Sequence, residues 1–401
     1  MHVAAKACWL ATAWFSAMAP LSAQAVHLVG PGGHSQIHAA LAVASQGDIV
    51  VVQAGNYDPF DLTVGVHIVA PDGATIVPNV TCQGCWSYTT LAPVGRTAHL
   101  IGLTFRSQSA VQPHVLRVQG GSVVFESCTF VGGYPTKVGA ALHCANADVV
   151  VRSSAFPCTS RGIWQTSGTL LVSDCTFAPT AIAFSSIPCL RIDGGSAHVT
   201  FSDLRGASGD SGQPAILVGS NGKLTLSDSH VQGGDSYPIG IAPVAAIENL
   251  AALPVLHDRT TVVGGLGAVV LPTGLWPIPG PAWVGAESAT PLVGAVGWHD
   301  GLRTGSPWSM LCRTQPNDLV VVGLTNDLVA PQMLPGIEGV VRFDAATVAI
   351  FAWGSAGPYG AFGVDVPSVP AALLGTAVWL HPIAFDGVAL QAGPVVGGLV
   401  Q

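Results

Sequence analysis

Val123-Val-Phe-Glu-Ser-Cys-Thr-Phe130 decides the fold of this chain, because the same pattern recurs along its first half. It consists of alternating apolar residues, then a small or polar residue, then Cys or Ser, and closes on an apolar residue. Close copies stand at Val149–Phe156 and Leu170–Phe177. Looser copies are Ala98–Phe105, Val199–Leu204 and Leu224–Val231. Turn-like residues follow one another at 25, 26, 21, 29 and 25 residues, namely Gly102, Ser127, Ser153, Asp174, Asp203 and Asp228. Such a period is typical of a solenoid of stacked coils.

The copies also predict how a coil packs. Alternate residues such as Val123 and Phe125 point to one side of a strand, the polar residue bends the chain, and Cys128 and Phe130 point inward again. Coils stack at the strand spacing of about 4.8 Å. The pattern therefore predicts a ladder of rings along one inner edge, formed by Phe105, Phe130, Phe156 and Phe177.

The composition agrees with many short buried strands joined by tight turns. The 401 residues include 49 Gly and 29 Pro, yet 49% are hydrophobic and only 9% are charged. Abundant hydrophobic residues argue against disorder, so Gly and Pro indicate turns. The net charge is -8, and the only lysines are Lys6, Lys137 and Lys223. So few lysines offer little positive charge to a phosphate backbone, so we expect no nucleic-acid ligand.

The first 25 residues resemble a secretory signal peptide. Lys6 precedes the apolar run Ala7–Ala19, and Ala23-Gln-Ala25 has the small-x-small pattern of a cleavage site. The alternative is a buried N-terminal helix. We expect cleavage near Ala25 and a protein that is secreted or held at the cell surface. No later stretch of about 18 residues stays apolar without Gly, Pro or charge, so no membrane span is expected.

Removal of the leader would take Cys8 and leave eight of the nine cysteines, an even number that favours disulfides in an exported protein. Cys128 and Cys175 are two coils, or about 9.6 Å, apart by the strand spacing, beyond the roughly 7 Å that a disulfide spans. They are expected to be buried thiols or to pair elsewhere. Cys82 and Cys85 have the CxxC spacing of half a zinc site, but the second half is missing, so no metal is expected there. The disulfide candidates are Cys82, Cys85, Cys144, Cys158 and Cys189.

The N-terminal part predicts a cap for the solenoid. Residues Ser35–Gly47 read as a short amphipathic helix with Ser35 as N-cap, and Asp48–Gln53 reads as a buried strand. A helix over the first strand would cover the open end of the stack. This order of elements, followed by the turn Ala54–Tyr57, resembles the N-terminal cap of right-handed parallel β-helix proteins of the pectate-lyase-like superfamily.

The resemblance implies an all-β exported bacterial protein with a right-handed parallel β-helix over residues 26–250 and a short N-terminal capping helix. The superfamily includes lyases, hydrolases, epimerases and adhesins, so the resemblance is specific for fold and weak for activity.

The sequence changes in character after residue 240. We predict that 251–281, rich in Gly and Pro, ends the solenoid and forms a linker. Runs such as Leu319–Gly323 and Thr376–Leu380 then predict a small β-sandwich over 282–401. Its segment Val366–His381 loosely resembles a C-terminal module of uncharacterised exported bacterial proteins.

Two motifs point to enzymes. Gly209–Pro214 resembles the nucleophile loop of chymotrypsin-like proteases, but His143 and Ser211 are only 68 residues apart and both fall within coils. A loop between coils is the simpler interpretation.

The second motif is a recurring aspartate with arginines nearby. The resemblance implies that polysaccharide lyases of the superfamily use clustered acidic calcium ligands together with a basic residue. Asp174, Asp203 and Asp228 recur at one turn position, with Arg152, Arg161 and Arg191 nearby in sequence. Solubility alone would also place carboxylates at turns. Glycosidases need paired carboxylates, and no Asp-Asp pair occurs in the sequence. Calcium is a candidate cofactor only under the lyase alternative, and no cofactor is expected otherwise.

Aromatic residues beside polar groups are the expected parts of a sugar-binding surface. The candidates are Trp164, Arg161, Arg152, Asp174 and Tyr134. A packed, half-buried ring is the structural alternative for Trp164. The resulting prediction is a non-catalytic surface or extracellular protein whose β-helix scaffold binds polysaccharide or cell-surface components. A polysaccharide lyase or glycoside hydrolase with a groove on the β-helix flank is the alternative. The oligomeric state is not assigned.

Overall fold

The computed structural model describes residues 24–77, 88–106, 114–132, 139–157, 161–178, 187–209, 212–236, 243–271 and 274–290. Within 292–400 it describes all residues except 293, 298–303, 327, 329–331, 333, 335, 336, 339, 340, 344–347, 359, 367, 375 and 394. The chain has two compact units, of which one is Val26–Thr290 and the other includes Pro291–Gln401.

The first unit is a parallel β-solenoid. Its strands that pair in the solenoid, together with one inserted hairpin, are β1 (Val26–Val29), β2 (Ile49–Val52), β3 (Asn56–Tyr57), β4 (Asp61–Val64), β5 (His67–Ile76), β6 (Thr89–Val94), β7 (Ala98–Arg106), β8 (His114–Gln119), β9 (Ser122–Glu126), β10 (Thr129–Val131), β11 (Ala140–Ala145), β12 (Ala147–Arg152), β13 (Ala155–Phe156), β14 (Arg161–Gln165), β15 (Gly168–Ser173), β16 (Thr176–Phe177), β17 (Leu190–Thr200), β18 (Asp203–Arg205), β19 (Ile216–Ser227), β20 (His230–Gln232), β21 (Ile247–Asn249), β22 (Val255–Asp258), β23 (Thr261–Val263), β24 (Leu266–Leu271), β25 (Gly274–Pro279), β26 (Trp283–Val284) and β27 (Glu287–Ala289).

Each coil contributes strands to three faces. The first face contains β1, β2, the starts of β5 and β7, β9, β12, β15, the ends of β17 and β19, β22 and β27. The second contains β3, the ends of β5 and β7, β10, β13, β16, β18, β20 and β23. The third contains β4, β6, β8, β11, β14, the starts of β17 and β19, β21 and β26.

The predicted ladder of rings is confirmed on the second face. Phe105, Phe130, Phe156 and Phe177 are all buried. Their successive ring centroids lie 5.4, 4.6 and 4.4 Å apart, with interplanar angles of 14°, 5° and 1°. Because the register keeps each ring above the last, one apolar stack forms a continuous inner edge of the core.

The corner between the first and second faces has a left-handed residue in seven successive coils, from β7 onward. The residues with positive φ at this corner are Gly102, Ser127, Ser153, Asp174, Phe201, Asp228 and Arg259. Five of the six predicted turn positions are confirmed, and the prediction of Asp203 as a turn residue is wrong. Asp203 lies on β18, opposite Thr176 and His230, and the corner is Phe201. A bulky residue at left-handed φ is uncommon, which is why a search for polar turn residues passes over it.

In five successive coils the residue after the corner is buried, and its side chain donates to the carbonyl two residues back. In this column stand Cys128, Ser154, Cys175, Ser202 and Ser229. The Ser154 hydroxyl donates to the carbonyl of Arg152 at 2.7 Å and accepts from the Cys128 N–H at 3.0 Å. Two coils later, Ser202 makes the same two contacts: its hydroxyl donates to the carbonyl of Thr200 and accepts from the Cys175 N–H. Cys and Ser are therefore interchangeable here, because each supplies a small donor to the carbonyl two residues back.

The expected disulfides do not form among the described cysteines. Cys128 and Cys175 are buried thiols, and burial raises the pKa of each to about 12. Cys144 faces the core opposite Gln165, and burial raises its thiol pKa also. Cys189 precedes a strand two coils further on, where its thiol donates to the Ala215 carbonyl at 2.9 Å. Their different positions within the coil explain why the pair does not bridge. Cys82, Cys85 and Cys158 lie outside the described residues.

The N-terminal helix is shorter than expected. Helix α1 spans Ile37–Leu41, its N-cap is Gln36 and not Ser35, and no side chain caps it. Ile37 and Ala40 are buried in the core of the solenoid. The single turn of helix thus packs beside β1 and β2.

The solenoid extends beyond the predicted end at residue 250. Strands β21, β22, β23, β26 and β27 continue the parallel pairing to Ala289. The Gly- and Pro-rich stretch predicted as a linker contains the antiparallel hairpin β24–β25, inserted between two coil strands. A hairpin emerging from a coil, and not a break between domains, accounts for the change in composition.

The second unit is built from antiparallel sheets around its own core, as the predicted β-sandwich requires. Its strands are β28 (Gly294–Gly297), β29 (Trp308–Arg313), β30 (Leu319–Thr325), β31 (Ile337–Glu338), β32 (Ala349–Ser355), β33 (Ala361–Val366), β34 (Ala377–Phe385), β35 (Leu390–Ala392) and β36 (Val396–Leu399), with a 3-10 helix at Ala371–Leu373. One sheet has the order β28-β29-β33, and the other has β31-β35-β34-β30-β32 with β36 beside β34. The pair β31–β35 is parallel. Trp308, Met310, Val322 and Leu380 are among the core residues.

Across the described residues, no helix is both long and apolar enough to span a bilayer.

Candidate functional site

The outward side chains of the third face form one line that runs from coil to coil. We call this line the outer column. It consists of Asp61, Thr90, Arg117, His143, Trp164, Arg191, Leu217, Glu248 and Val284, each opposite the next in the strand register. Because parallel coils hold their register, these side chains lie in sequence along the solenoid axis.

Trp164 is the centre of the column and its orientation is fixed by a carboxylate. The indole Nε1 donates to Asp193 Oδ2 at 2.8 Å. The same carboxylate accepts from Arg191 Nε at 2.8 and 2.9 Å. Arg191 and Asp193 keep 31% and 28% of their side-chain surface exposed. A single acidic group therefore holds an aromatic ring and a guanidinium in place at the surface.

Two guanidiniums approach the indole ring. The Cζ atoms of Arg161 and Arg191 lie 5.1 and 5.7 Å from its centroid, within cation–π range. The pKa of Arg161 is lowered, first by burial and then by repulsion from Arg191, and Asp193 only partly opposes this. The protein thus holds like charges close together around one ring.

Two histidines extend the aromatic stack towards Arg117. The rings of His114 and His143 stack at 4.5 Å, and His143 lies 5.0 Å from the Trp164 ring. The pKa of both histidines is lowered to about 4, mainly by burial and to a smaller extent by the nearby charge of Arg117. Both imidazoles are therefore neutral at neutral pH, and the positive charge of the cluster comes from arginine alone.

This arrangement is suited to hold an anion against an aromatic surface. Guanidiniums donate in a planar fork that matches a carboxylate or sulfate. Within the described part of the chain, no group of three or more His, Cys, Asp or Glu residues is placed to hold a metal ion.

Among the five predicted glycan-binding residues, the structure brings Arg161 and Trp164 together. Arg152 lies on the first face, where it pairs with Glu126 at 2.6 Å. Asp174 is a corner residue whose carboxylate accepts from the Ser153 hydroxyl at 2.9 Å. Tyr134 lies outside the described residues. Arg152 and Asp174 therefore belong to other parts of the coil.

The aspartates expected under the lyase alternative are separated by the register. Asp174 and Asp228 occupy the corner, while Asp203 is on the second face beside Arg205. Asp228 is held by both ends of the Arg259 guanidinium. Of the proposed protease residues, His143 stacks in the cluster, and Ser211 lies outside the described residues.

Sequence reasoning missed most of the cluster. None of His114, Arg117, His143, Arg191 and Asp193 was selected for glycan binding, and His143 and Arg191 were named only as protease and lyase candidates. The usable signal was the distance of each residue from the recurring pattern. Arg117 and His143 precede Val123 and Val149 by the same six positions, and Trp164 precedes Leu170 likewise. The three therefore share one place in the coil.

No protein-family model matches the chain, and a search of curated proteins finds no match. The fold is known from the structure, and the likeness to pectate-lyase-like proteins stays an expectation from the sequence.

Proposed function

We propose that this protein is an exported, non-catalytic polysaccharide-binding protein that holds an anionic glycan on the third face of its β-solenoid. The observation that carries the proposal is the placement of Arg161 and Arg191 around the half-buried ring of Trp164. Localisation outside the cell is the expectation from the N-terminal sequence.

Electrostatics supports an acidic ligand. The chain carries a net charge of -8, yet it gathers arginines where burial and mutual repulsion lower the pKa of Arg161. A bound carboxylate or sulfate would offset that repulsion and would accept charge-assisted hydrogen bonds. Each such bond contributes about 1.5–3 kcal/mol.

Geometry supports a carbohydrate as the bearer of the acid group. The outer column follows the long axis of the solenoid and combines a partly exposed indole with polar side chains. Thr166 lies beside the column, and its hydroxyl is 3.5 Å from His143 Nε2. A polymer with apolar ring faces, hydroxyls and regularly spaced acid groups matches such a surface better than a compact anion.

The test is binding of purified mature protein to polygalacturonate, alginate and heparin, with dextran as the neutral polymer. We expect Arg161→Ala and Arg191→Ala each to weaken binding to an acidic polymer about 10- to 100-fold, as loss of one charge-assisted contact implies. The matched control is Arg205→Ala, which removes an arginine of the second face with 56% of its side chain exposed.

Equal loss in the Arg205→Ala control would show that net charge, and not the third face, drives binding. Equal affinity for dextran would contradict an anionic ligand. Release of unsaturated products or new reducing ends by the unmodified protein would replace this proposal with the lyase or hydrolase alternative.

A further inference from the structure

The charges along the outer column change sign twice. Arginines stand at its third and sixth positions, Arg117 and Arg191, with His143 and Trp164 between them. Acidic residues stand two strands beyond each arginine, Asp61 on one side and Glu248 on the other. The residues of the column are therefore positive in its middle, where Asp193 beside the column pairs with Arg191, and negative near both ends.

The strand spacing converts this order into lengths. Arg117 and Arg191 are separated by three strand steps, or about 14 Å at about 4.8 Å per step. Asp61 and Glu248 each lie about 10 Å further along, two steps away at the same spacing. Successive sugar residues of an extended chain advance by a length close to one strand step, so neighbouring acid groups would meet neighbouring coils.

We propose that the acidic glycan lies parallel to the solenoid axis and that its bound segment is limited to the coils between Arg117 and Arg191. This inference rests on the proposed function and specifies the ligand length. With one residue per coil, the segment is about four sugar residues long. Asp61 and Glu248 repel acid groups that extend further. A chain lying across the face would meet a single coil and could use only one of the two arginines.

The first experiment measures affinity by calorimetry for oligogalacturonides of two to eight residues. We expect affinity to rise by at least tenfold from the dimer to about the tetramer and then to level off. Arg117→Ala should cost the tetramer about 10-fold or more, since it removes one charged contact, and should change dimer binding at the Arg161–Arg191 end less.

The second experiment removes the acidic ends. Glu248→Gln and Asp61→Asn should leave tetramer affinity unchanged and raise octamer affinity about two- to fivefold, the size of one surface charge interaction. Asp203→Asn is the matched control, because it removes an aspartate from the second face. Octamer affinity should not change in this variant.

The outcomes separate the two proposals. Failure of both polymer and oligomers to bind would refute the proposed function itself. Binding that is equal for dimer and octamer, or that keeps rising to the octamer in the unmodified protein, would overturn the axial four-residue segment and leave polysaccharide binding intact. An octamer affinity unaltered by Glu248→Gln and by Asp61→Asn would overturn the role of the acidic ends.

Discussion

Arginines on two faces of the same solenoid have different neighbours. On the first face, Arg152 lies directly opposite Glu126, and the pair meets at 2.6 Å with only 13% and 7% of the side chains exposed. On the third face, Arg161 and Arg191 share the ring of Trp164 and repel one another. The first arrangement pairs one largely buried arginine with one carboxylate, and the second places two arginines, one of them buried, around a ring with Asp193 as their shared acidic neighbour.

The difference teaches how to separate structural from ligand-binding residues in a repeat protein. A buried ion pair balances its own desolvation and leaves little for a ligand. In a cluster of like positive charges, each group lowers the pKa of its neighbours, and a bound anion stabilises the charged forms. Sequence analysis named Arg152 and Arg161 alike as glycan-binding candidates, and their neighbours in the register distinguish them.

The largest expected effect concerns the first face. Glu126→Ala leaves the Arg152 guanidinium buried without its closest carboxylate, and this should lower the free energy of unfolding by about 3–5 kcal/mol in urea titrations. The double variant Glu126→Leu with Arg152→Met should recover most of the loss, because apolar pairs replace buried ion pairs at little cost. A loss below 1 kcal/mol in Glu126→Ala would remove the contrast between the faces.

A smaller effect is expected on the third face. Arg161→Met keeps the apolar stem over Trp164 but removes a charge that burial and Arg191 already disfavour. Removing this buried charge also removes its desolvation cost, so the free energy of unfolding should fall by clearly less than in Glu126→Ala, while affinity for acidic polymer falls. A stability loss as large as that of Glu126→Ala would identify Arg161 as a structural residue.

A third contrast between the faces is a change in pH dependence. The pKa of His143 is lowered from 6.5 to about 4 in the folded protein, and that of His67 on the first face is lowered equally. The unfolded chain therefore binds these protons more readily, so stability rises with pH across this window and is lost as pH falls from 6.5 to 4.

Each histidine contributes a slope of at most about 1.4 kcal/mol per pH unit. His143→Phe and His67→Phe should each flatten the curve of unfolding free energy against pH between 4 and 6.5. Only His143→Phe should also alter polysaccharide affinity. An unchanged slope in both variants would contradict the lowered pKa values.

The core of the solenoid could be predicted because its inward positions repeat their chemistry. Phe130, Phe156 and Phe177 recur with the same neighbours, so alternation and strand spacing were sufficient. The corner could be predicted where it used Gly, Ser or Asp. The prediction failed at Phe201, because a bulky residue there adopts a left-handed conformation that local preference does not favour.

The candidate site could be predicted only in part, since its members share a place in the coil but not a residue type. Arg117, His143, Trp164 and Arg191 belong to three residue types in one column, and no local motif joins them. Their alignment depends on the lengths of the connections between strands. The end of the solenoid was misplaced for a related reason, because the hairpin β24–β25 interrupts the repeat without ending the stack.

The interchangeable Cys and Ser column has an evolutionary consequence. Because neighbouring coils present the same buried donor and the same stacked ring, a coil can be duplicated or lost without the invention of a new core. Each such event would shift the outer arginines relative to one another by one coil. Under the proposed function, a lineage built on this scaffold would change the length of the bound glycan in whole-residue increments, by gain or loss of repeats in the gene and not by gradual reshaping of a pocket.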